Sequence, residues 1–256
     1  MKISLCSTCM GRTHHLKKTL PSNMMGNWTT VHEMEYIVLN YNSSDDLDEW
    51  IATIPNRKRV RYFTTREPQY FHMSHAKNIA HRAATGDVLC NVDADVYWSE
   101  GRIFEVAGHF KRNPNIILHF FPGACEGSPE KFDWQAAEGA PCGTICISRE
   151  NFYKLGGYDE AMGPMIYQDW DLLLRAKAMG LEYVPVTNMR GCGFIPHGLR
   201  EKFRNCQNYE ENKGRLGRYH RQKQRAHKRI AAEREGFVAN VGHDFGHVND
   251  LVEVKR

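Results

Sequence analysis

Apolar residues fall along this chain in two alternating rhythms. Short runs stand at 3–6, 35–39, 59–63 and 88–92, mostly apolar except that 59–63 alternates polar with apolar, each the length of a strand. Between the second and third, Asp45 to Ile51 opens acidic and then turns apolar, as a helix start does. After the third, Ala76, Ile79, Ala80 and Ala83 repeat at i, i+3, i+4 and i+7. Ser74 is the predicted N-cap of that helix and Gly86 its predicted end. Farther on, Leu172, Leu173, Ala176 and Met179 mark the buried stripe of another helix. Strands alternating with helices predict an α/β fold: a mostly parallel sheet with helices on both faces. Such sheets bind ligands beyond the carboxyl ends of their strands. The run 88–92 feeds directly into Asp93-Ala94-Asp95, which puts two carboxylates at such an end.

Composition narrows the class. A chain of 256 residues can bury a substantial core without staples. No window approaches the ~18 apolar residues of a membrane span, and Met1-Lys2-Ile3-Ser4-Leu5-Cys6 is too short an apolar start for an export signal. A cytoplasmic protein is expected. Eight cysteines, at 6, 9, 90, 125, 142, 146, 192 and 206, are then read mostly as reduced, buried apolar side chains. Cys6-x-x-Cys9 lacks the tight second pair of a zinc site, since Cys142 and Cys146 are spaced loosely.

Charge is unevenly placed. Residues 209–256 hold eleven basic and seven acidic residues and so carry the whole net charge of +4, while residues 1–208 balance at 23 of each. That shift divides the chain into a main domain, 1–208, and a basic extension, 209–256. Asn212 to Arg229 contains eight basic residues and no acidic one. Leu216, Tyr219, Ala226 and Ile230 give it a thin apolar edge, interrupted by Lys223. Three readings stay open: a solvated helix packed by that edge, a helix on an anionic membrane, or a nucleic-acid contact.

In an extended stretch, residues two apart point the same way, so Asp93 and Asp95 can face one pocket. Two hard carboxylates suit Mg²⁺ or Mn²⁺. Such an ion neutralises a diphosphate and makes it a better leaving group.

The run Ser74-His-Ala-Lys-Asn78 followed by 84–95, Ala-Thr-Gly-Asp-Val-Leu-Cys-Asn-Val-Asp-Ala-Asp, resembles the core signature of GT-A-fold, nucleotide-sugar-dependent glycosyltransferases, family 2 in particular. A second block, 143–160 with Leu155-Gly-Gly-Tyr-Asp-Glu160, then Tyr167-Gln-Asp-Trp-Asp-Leu-Leu-Leu-Arg175, is similar to the acceptor-side segment and the helix start that carries the catalytic carboxylate. It is also like the C-terminal part of galactosyltransferase-type domains. The resemblance covers roughly residues 1–200, with a nucleotide-binding half near 1–100 and an acceptor half near 115–200.

What it implies is specific. Asp93 would contact the ribose or the metal, and Asp95 would ligate the metal with His197. Asp169 would be the general base of an inverting transfer, with Asp171 as its rival. Trp170 and Gln168 would face the acceptor, although the family usually has Glu where Gln168 stands. Thr8 and Arg12 after the first strand, with Ser7 and Met10 beside them, would hold the nucleotide. Asn40, Asn42 and Asp46 after the second would join them, with Ser43. His75, Lys77 and Asn78 would reach the nucleotide or its phosphates; Lys77 replaces a frequent Arg and keeps the charge without its fork. The implied cofactor is Mn²⁺ or Mg²⁺. The implied donor is a nucleoside-diphosphate sugar, UDP favoured. The acceptor hydroxyl is open among a glycan, a lipid carrier and a hydroxylated nucleic acid, with an anionic partner for the basic tail.

His14-His15 and His243-x-x-x-His247 are weaker metal candidates, the latter without the Glu of a zinc-protease helix. No nucleophile elbow, Walker A sequence or G-x-G-x-x-G fingerprint occurs. A retaining transferase, a nucleotidyltransferase and a binding protein with a degenerate catalytic domain remain the alternatives.

Overall fold

The computed structural model describes residues 1–26, 33–55, 57–98, 101–121 and 143–255. Cys125 and Cys142 fall outside them. The first half runs β1 (Lys2–Cys9), α1 (Thr13–Gly26), β2 (Glu33–Tyr41), α2 (Leu47–Thr53), β3 (Val60–Thr65), α3 (Met73–Ala83), β4 (Val88–Asn91), β5 (Val96–Trp98) and α4 (Arg102–Arg112). It continues with β6 (Ile116–Phe120), β7 (Ile145–Ser148), α5 (Arg149–Lys154), α6 (Gln168–Ala178), β8 (Glu182–Val186) and β9 (Cys192–Phe194). The last elements are α7 (Leu199–Phe203), α8 (Tyr209–Asn212), α9 (Leu216–Glu233) and β10 (Val252–Glu253).

Eight strands form one sheet in the order β10-β3-β2-β1-β4-β7-β6-β8, and β5 pairs with β9 beside it. β3, β2, β1 and β4 are parallel, as the alternating pattern predicts. β7 runs against both neighbours, and β10 runs against β3. Strand side chains are buried on both faces because helices cover both. Leu16 and Leu20 of α1, Ile51 of α2 and Val106 of α4 pack on one face with Leu5 and Val38. Ile79 of α3, Phe152 of α5 and Leu172 of α6 pack on the other with Ile37 and Leu89. The fold is that of the GT-A class.

Two helix limits differ from the sequence pattern. The cap of α3 is the His72 imidazole, which accepts from the His75 amide at 3.4 Å, and Ser74 lies buried inside the first turn. α3 also ends before Gly86. A Cβ at Gly86 would sit 2.5 Å from Ser4 Oγ and 2.9 Å from Ser4 N. That glycine serves the close approach of the turn to β1, a use that resembles a helix stop in sequence.

The basic extension is stitched into the main domain. Val252 and Glu253 add a strand to the large sheet. The Ala239 amide bonds Leu155 O at 2.9 Å. Leu216 and Tyr219 of α9 pack on Met165, Ile166 and Phe203. Among the described residues, these contacts join the chain after 208 to the chain before it.

All six described cysteines are free, and five are buried. Burial pushes the Cys9 thiol up to about 12, so the C-x-x-C behaves as core. No described helix is long and apolar enough to cross a membrane.

Glu35 ties the strands' entry ends together. Its Oε1 accepts from Ser4 Oγ at 2.7 Å and from Thr85 N at 2.6 Å, and Lys2 lies 3.1 Å from Oε2. Burial opposes its charge, but these donors outweigh burial and hold its pKa near 2 instead of 4.5. A depressed carboxylate stabilises above its unfolded pKa and loses that contribution as pH falls through the folded value. Glu35→Gln should therefore lower stability at pH 7 by about 3 kcal/mol. Denaturant melts repeated from pH 6 to 2 should show a smaller acid-dependent loss in that variant than in the parent.

Candidate active site

A cleft of about 940 Å³ opens at the carboxyl ends of β1 and β4. Thr8 at the end of β1 and Met10 and Arg12 after it line the cleft, with Asp93, Ala94 and Asp95 after β4. Asp169 and Trp170 of α6 form the far wall. The floor is an ion cluster. Lys77, 1% exposed on α3, donates to Asp169 Oδ1 at 2.7 Å and lies 3.6 Å from Asp93 Oδ1. Burial alone would drive its proton off; the two carboxylates outweigh burial and raise its pKa above the ordinary value. The same burial raises the Asp169 pKa, Lys77 lowers it, and the like charge of Asp93 raises it again, for a net upward shift.

Asn91 aims Asp93: its amide donates to Asp93 Oδ1 at 2.9 Å and to Gly143 O at 2.7 Å. Gly143 leaves the space between the charged groups open. A Cβ there would meet Asp93 Oδ2 at 2.8 Å, Lys77 Nζ at 3.1 Å and Asp169 Oδ2 at 3.2 Å. Thus Oδ1 of Asp169 is held by Lys77 while Oδ2 faces the gap.

Asp95 forms a second centre. Its Oδ2 lies 3.1 Å from His197 Nε2. Burial pushes its pKa up, but the His197 hydrogen bond outweighs burial and the net direction is down. His197 Nδ1 is buried and has no hydrogen-bond partner among the described residues. A carboxylate and an imidazole facing each other are a fitting O/N donor pair for Mn²⁺ or Mg²⁺. Asp93 does not join them. Among the described residues, only His14, His15 and Glu201 bring three acid or histidine ligand atoms within 4.8 Å of one another. Asp93 is turned instead to Asn91 and Lys77, so the structure brings Asp95 and His197 together and sets Asp93 apart from them.

The two aspartates of α6 separate completely. A spacing of two in a helix turns side chains about 200° apart. Asp171 is buried away from the cleft, with Oδ2 2.7 Å from Arg175 Nε and Oδ1 2.7 Å from Arg234 Nη1. Arg234 also pairs with Asp159. Asp171 is a structural counter-ion and has no part in the cleft. Gln168 is also displaced from its predicted role: it is fully buried and donates to Met162 O at 2.7 Å. Trp170 does line the cleft, edge-on to His119 and Phe121.

The segment before Asp169 is strained. Ile166 and Tyr167 take φ of 89° and 78°, a conformation costing about 1–3 kcal/mol for each such side chain. His227 of α9 holds it, with Nδ1 2.6 Å from Ile166 O and Nε2 3.1 Å from Gly163 O.

Several predicted nucleotide contacts are part of the scaffold. Asn40 is fully buried, donating to Asp48 and Tyr62 and accepting from the Ser43 amide. Asn42 donates to Pro68 O, and Asp46 pairs with Lys17. Asn78 bonds Tyr158 O and Glu160 Oε1. His75 bonds the Tyr41 hydroxyl and faces a second cavity of about 560 Å³. Each polar side chain follows a strand or starts a helix, where loop-stapling and ligand contacts have one sequence appearance. Thr8, Arg12 and Asp93 line the cleft together, whereas Lys77 is buried with its ammonium on Asp169 and is not open to a nucleotide. Sequence reasoning missed Asn91, Glu201, Lys202, His227, Lys228 and Arg234; only Asn91, inside the quoted signature, carried a local signal.

Parallel α/β sheets of this kind take ligands at the carboxyl ends of their strands, where this cleft lies. The family model described as glycosyl transferase family 2 matches residues 12–163, more than half of the chain. This chain belongs to that family. Asp169 and His197 lie beyond the matched stretch. No curated protein matches the chain. Among solved structures, it is similar to TarS 1–349 of S. aureus in complex with UDP, at 13% identity and a TM-score of 0.58, covering 73% of this chain and 58% of that one. The chain thus spans less than two thirds of that protein's length. A second structure of S. aureus TarS 1–349 gives a TM-score of 0.59 at 13% identity, over 90% and 73% of the two chains. The mannosyltransferase PcManGT from Pyrobaculum calidifontis, in complex with GDP-Man and Mn2+, gives 0.57 at 17% identity, over 91% and 76%.

Two substitutions separate scaffold from chemistry. Asp171→Asn should unfold the protein about 3 kcal/mol more easily, because the buried Arg175 loses its counter-charge and Arg234 keeps only Asp159. Gly143→Ala should leave thermal stability within a few degrees of the parent yet depress sugar transfer about 100-fold, by spreading the Lys77 cluster.

Proposed function

We propose that the protein is a metal-dependent glycosyltransferase that moves a sugar from a nucleoside-diphosphate sugar to an acceptor hydroxyl, with inversion. One observation carries the reading: a buried carboxylate, Asp169, with its Oδ2 unbonded among the described residues, lines the same cleft as the Asp95–His197 pair. The family match supports sugar transfer. The similar structures that hold UDP and GDP-Man support a nucleotide donor. UDP is favoured as the donor nucleotide.

Asp95 and His197 would hold Mn²⁺ or Mg²⁺. The ion supplies charge neutralisation on the departing diphosphate. Thr8 and Arg12 would take the nucleoside side, and Asp93, aimed by Asn91, its ribose. Asp169 would accept the acceptor's proton at Oδ2 while Lys77 fixes Oδ1. An upward-shifted carboxylate is a stronger base than a free one, which serves general-base work near neutral pH. Trp170 offers a flat apolar wall on which a sugar ring can stack. The acceptor is a hydroxyl of a glycan, a lipid carrier or a hydroxylated nucleic acid.

Thermal-shift binding of UDP, GDP, CDP and TDP, each with and without Mn²⁺, is the first test. One nucleotide should raise the melting temperature in a metal-dependent way, and Asp95→Asn and His197→Ala should each abolish the metal dependence. No shift with any nucleotide from folded protein would refute the reading. Where transfer is measured, Asp169→Asn should reduce kcat by about 10³-fold. The base form is lost as pH falls through a pKa above 3.8, so the acid limb of kcat should lie above the usual Asp range and vanish in that variant. A product with the donor's anomeric configuration, seen by NMR, would replace inversion with retention.

A further inference from the structure

The charge of α9 is ordered. Its inner edge, the apolar Leu216 and Tyr219 with the hydrogen-bonded His227, is buried against the domain, while Ala226 and Ile230 of the expected edge are half-buried. Arg218, Arg221, Arg225, Lys228 and Arg229 are all exposed. Their spacing of three and four places them on one face. That stripe spans about 16 Å of helix. Arg229 has one neighbouring acid, Glu233, at 3.7 Å. Among the described residues, Arg218, Arg221 and Arg225 take part in no ion pair.

The stripe ends at the cleft. Lys228 lines it, with its ammonium 5.9 Å from the Tyr167 ring centre. Gln224 and His220 of α9 and Lys202 of α7 line the same wall. Tyr167, which Lys228 approaches, stands two residues before Asp169, and both line the same cleft with Trp170. A chain lying along the stripe would therefore deliver its end to the proposed base.

We propose that the acceptor is an acidic polysaccharide, a linear glycan carrying carboxylate, sulfate or phosphate groups, held along the α9 stripe while one of its sugar hydroxyls enters the cleft. This rests on the glycosyltransferase reading above. Charge complementarity sets the sign of the partner. The composition of the stripe sets its kind. A membrane-seated helix carries large apolar side chains at the surface, and none of the exposed large hydrophobic residues lies on α9. Single-stranded nucleic acid is held by aromatic platforms between the basic groups, and the exposed face of α9 has none. The cleft's aromatic residues, Tyr167 and Trp170, lie at one end of the stripe, where one sugar ring would stack.

The test compares the full chain with the triple variant Arg218→Gln/Arg221→Gln/Arg225→Gln, whose side chains are exposed and unpaired among the described residues. Binding is measured to polygalacturonate, heparin, neutral dextran, single-stranded DNA, duplex DNA and phosphatidylglycerol vesicles at 50 and 200 mM salt. The acidic glycans should bind the parent most tightly and weaken with salt. The triple variant should lose at least tenfold in their affinity at 50 mM salt, with its nucleotide thermal shift unchanged. Equal affinity of parent and variant for the acidic glycans overturns the proposal. So does tighter binding of either DNA or of vesicles than of both acidic glycans, or dextran binding as well as they do. Failure of the nucleotide shift in the parent would instead strike the transferase reading, and the two failures are separable because they are read on different ligands.

Discussion

One buried ammonium organises this molecule. Lys77 sits where α3, the end of β4 and the start of α6 converge, and it is the shared counter-charge of Asp93 and Asp169. An isolated buried charge is costly, and so are two carboxylates facing each other. Each charge in this group is tolerable only because the others are present. Because the three come from different parts of the chain, the cluster forms only when both halves of the sheet have assembled. The proposed base is thereby located by the whole fold and not by the flexibility of a loop.

A second charged group sits on the other side of α6, where Asp171 joins Arg175 and Arg234. Arg175 also donates to Leu155 O and Gly157 O, which locks the turn after α5 to the same helix. Two aspartates separated by one residue thus do opposite work, one facing the cleft and one neutralising arginines in the core. The segment after α9 supplies Arg234, so the basic extension is part of the support of α6. His227 adds to it by holding the strained backbone at Ile166 and Tyr167.

The fold was legible because its signal is distributed. Strand runs and the helical stripes of α3 and α6 survive small errors at their ends, and the carboxylates after β4 follow from their position alone. Individual roles were less legible. Asn40 and Asn78 look like ligand contacts in sequence, yet their amides bridge loops. Asp171 looked like a rival to Asp169 because sequence spacing shows phase on the helix but not which face meets the cleft. Arg234 gave no signal, since its partners lie 63 and 75 positions away. The basic stretch was visible as composition. Its division into a buried edge and a charged stripe required the packing of Leu216, Tyr219 and His227.

The short strand β10 has a consequence for handling the protein. An outer strand with unpaired amides and carbonyls is a template for other chains. β3 would be such an edge, and Val252 and Glu253 cover it. Glu253 also clasps Arg61 through both carboxylate oxygens, at 2.8 and 2.9 Å. A chain shortened by only these last residues would keep its cleft and its nucleotide side intact, yet bare a row of β3 hydrogen-bonding groups. Such a protein would self-associate edge to edge. Its insolubility would then report a lost edge guard and say nothing about the chemistry of the cleft.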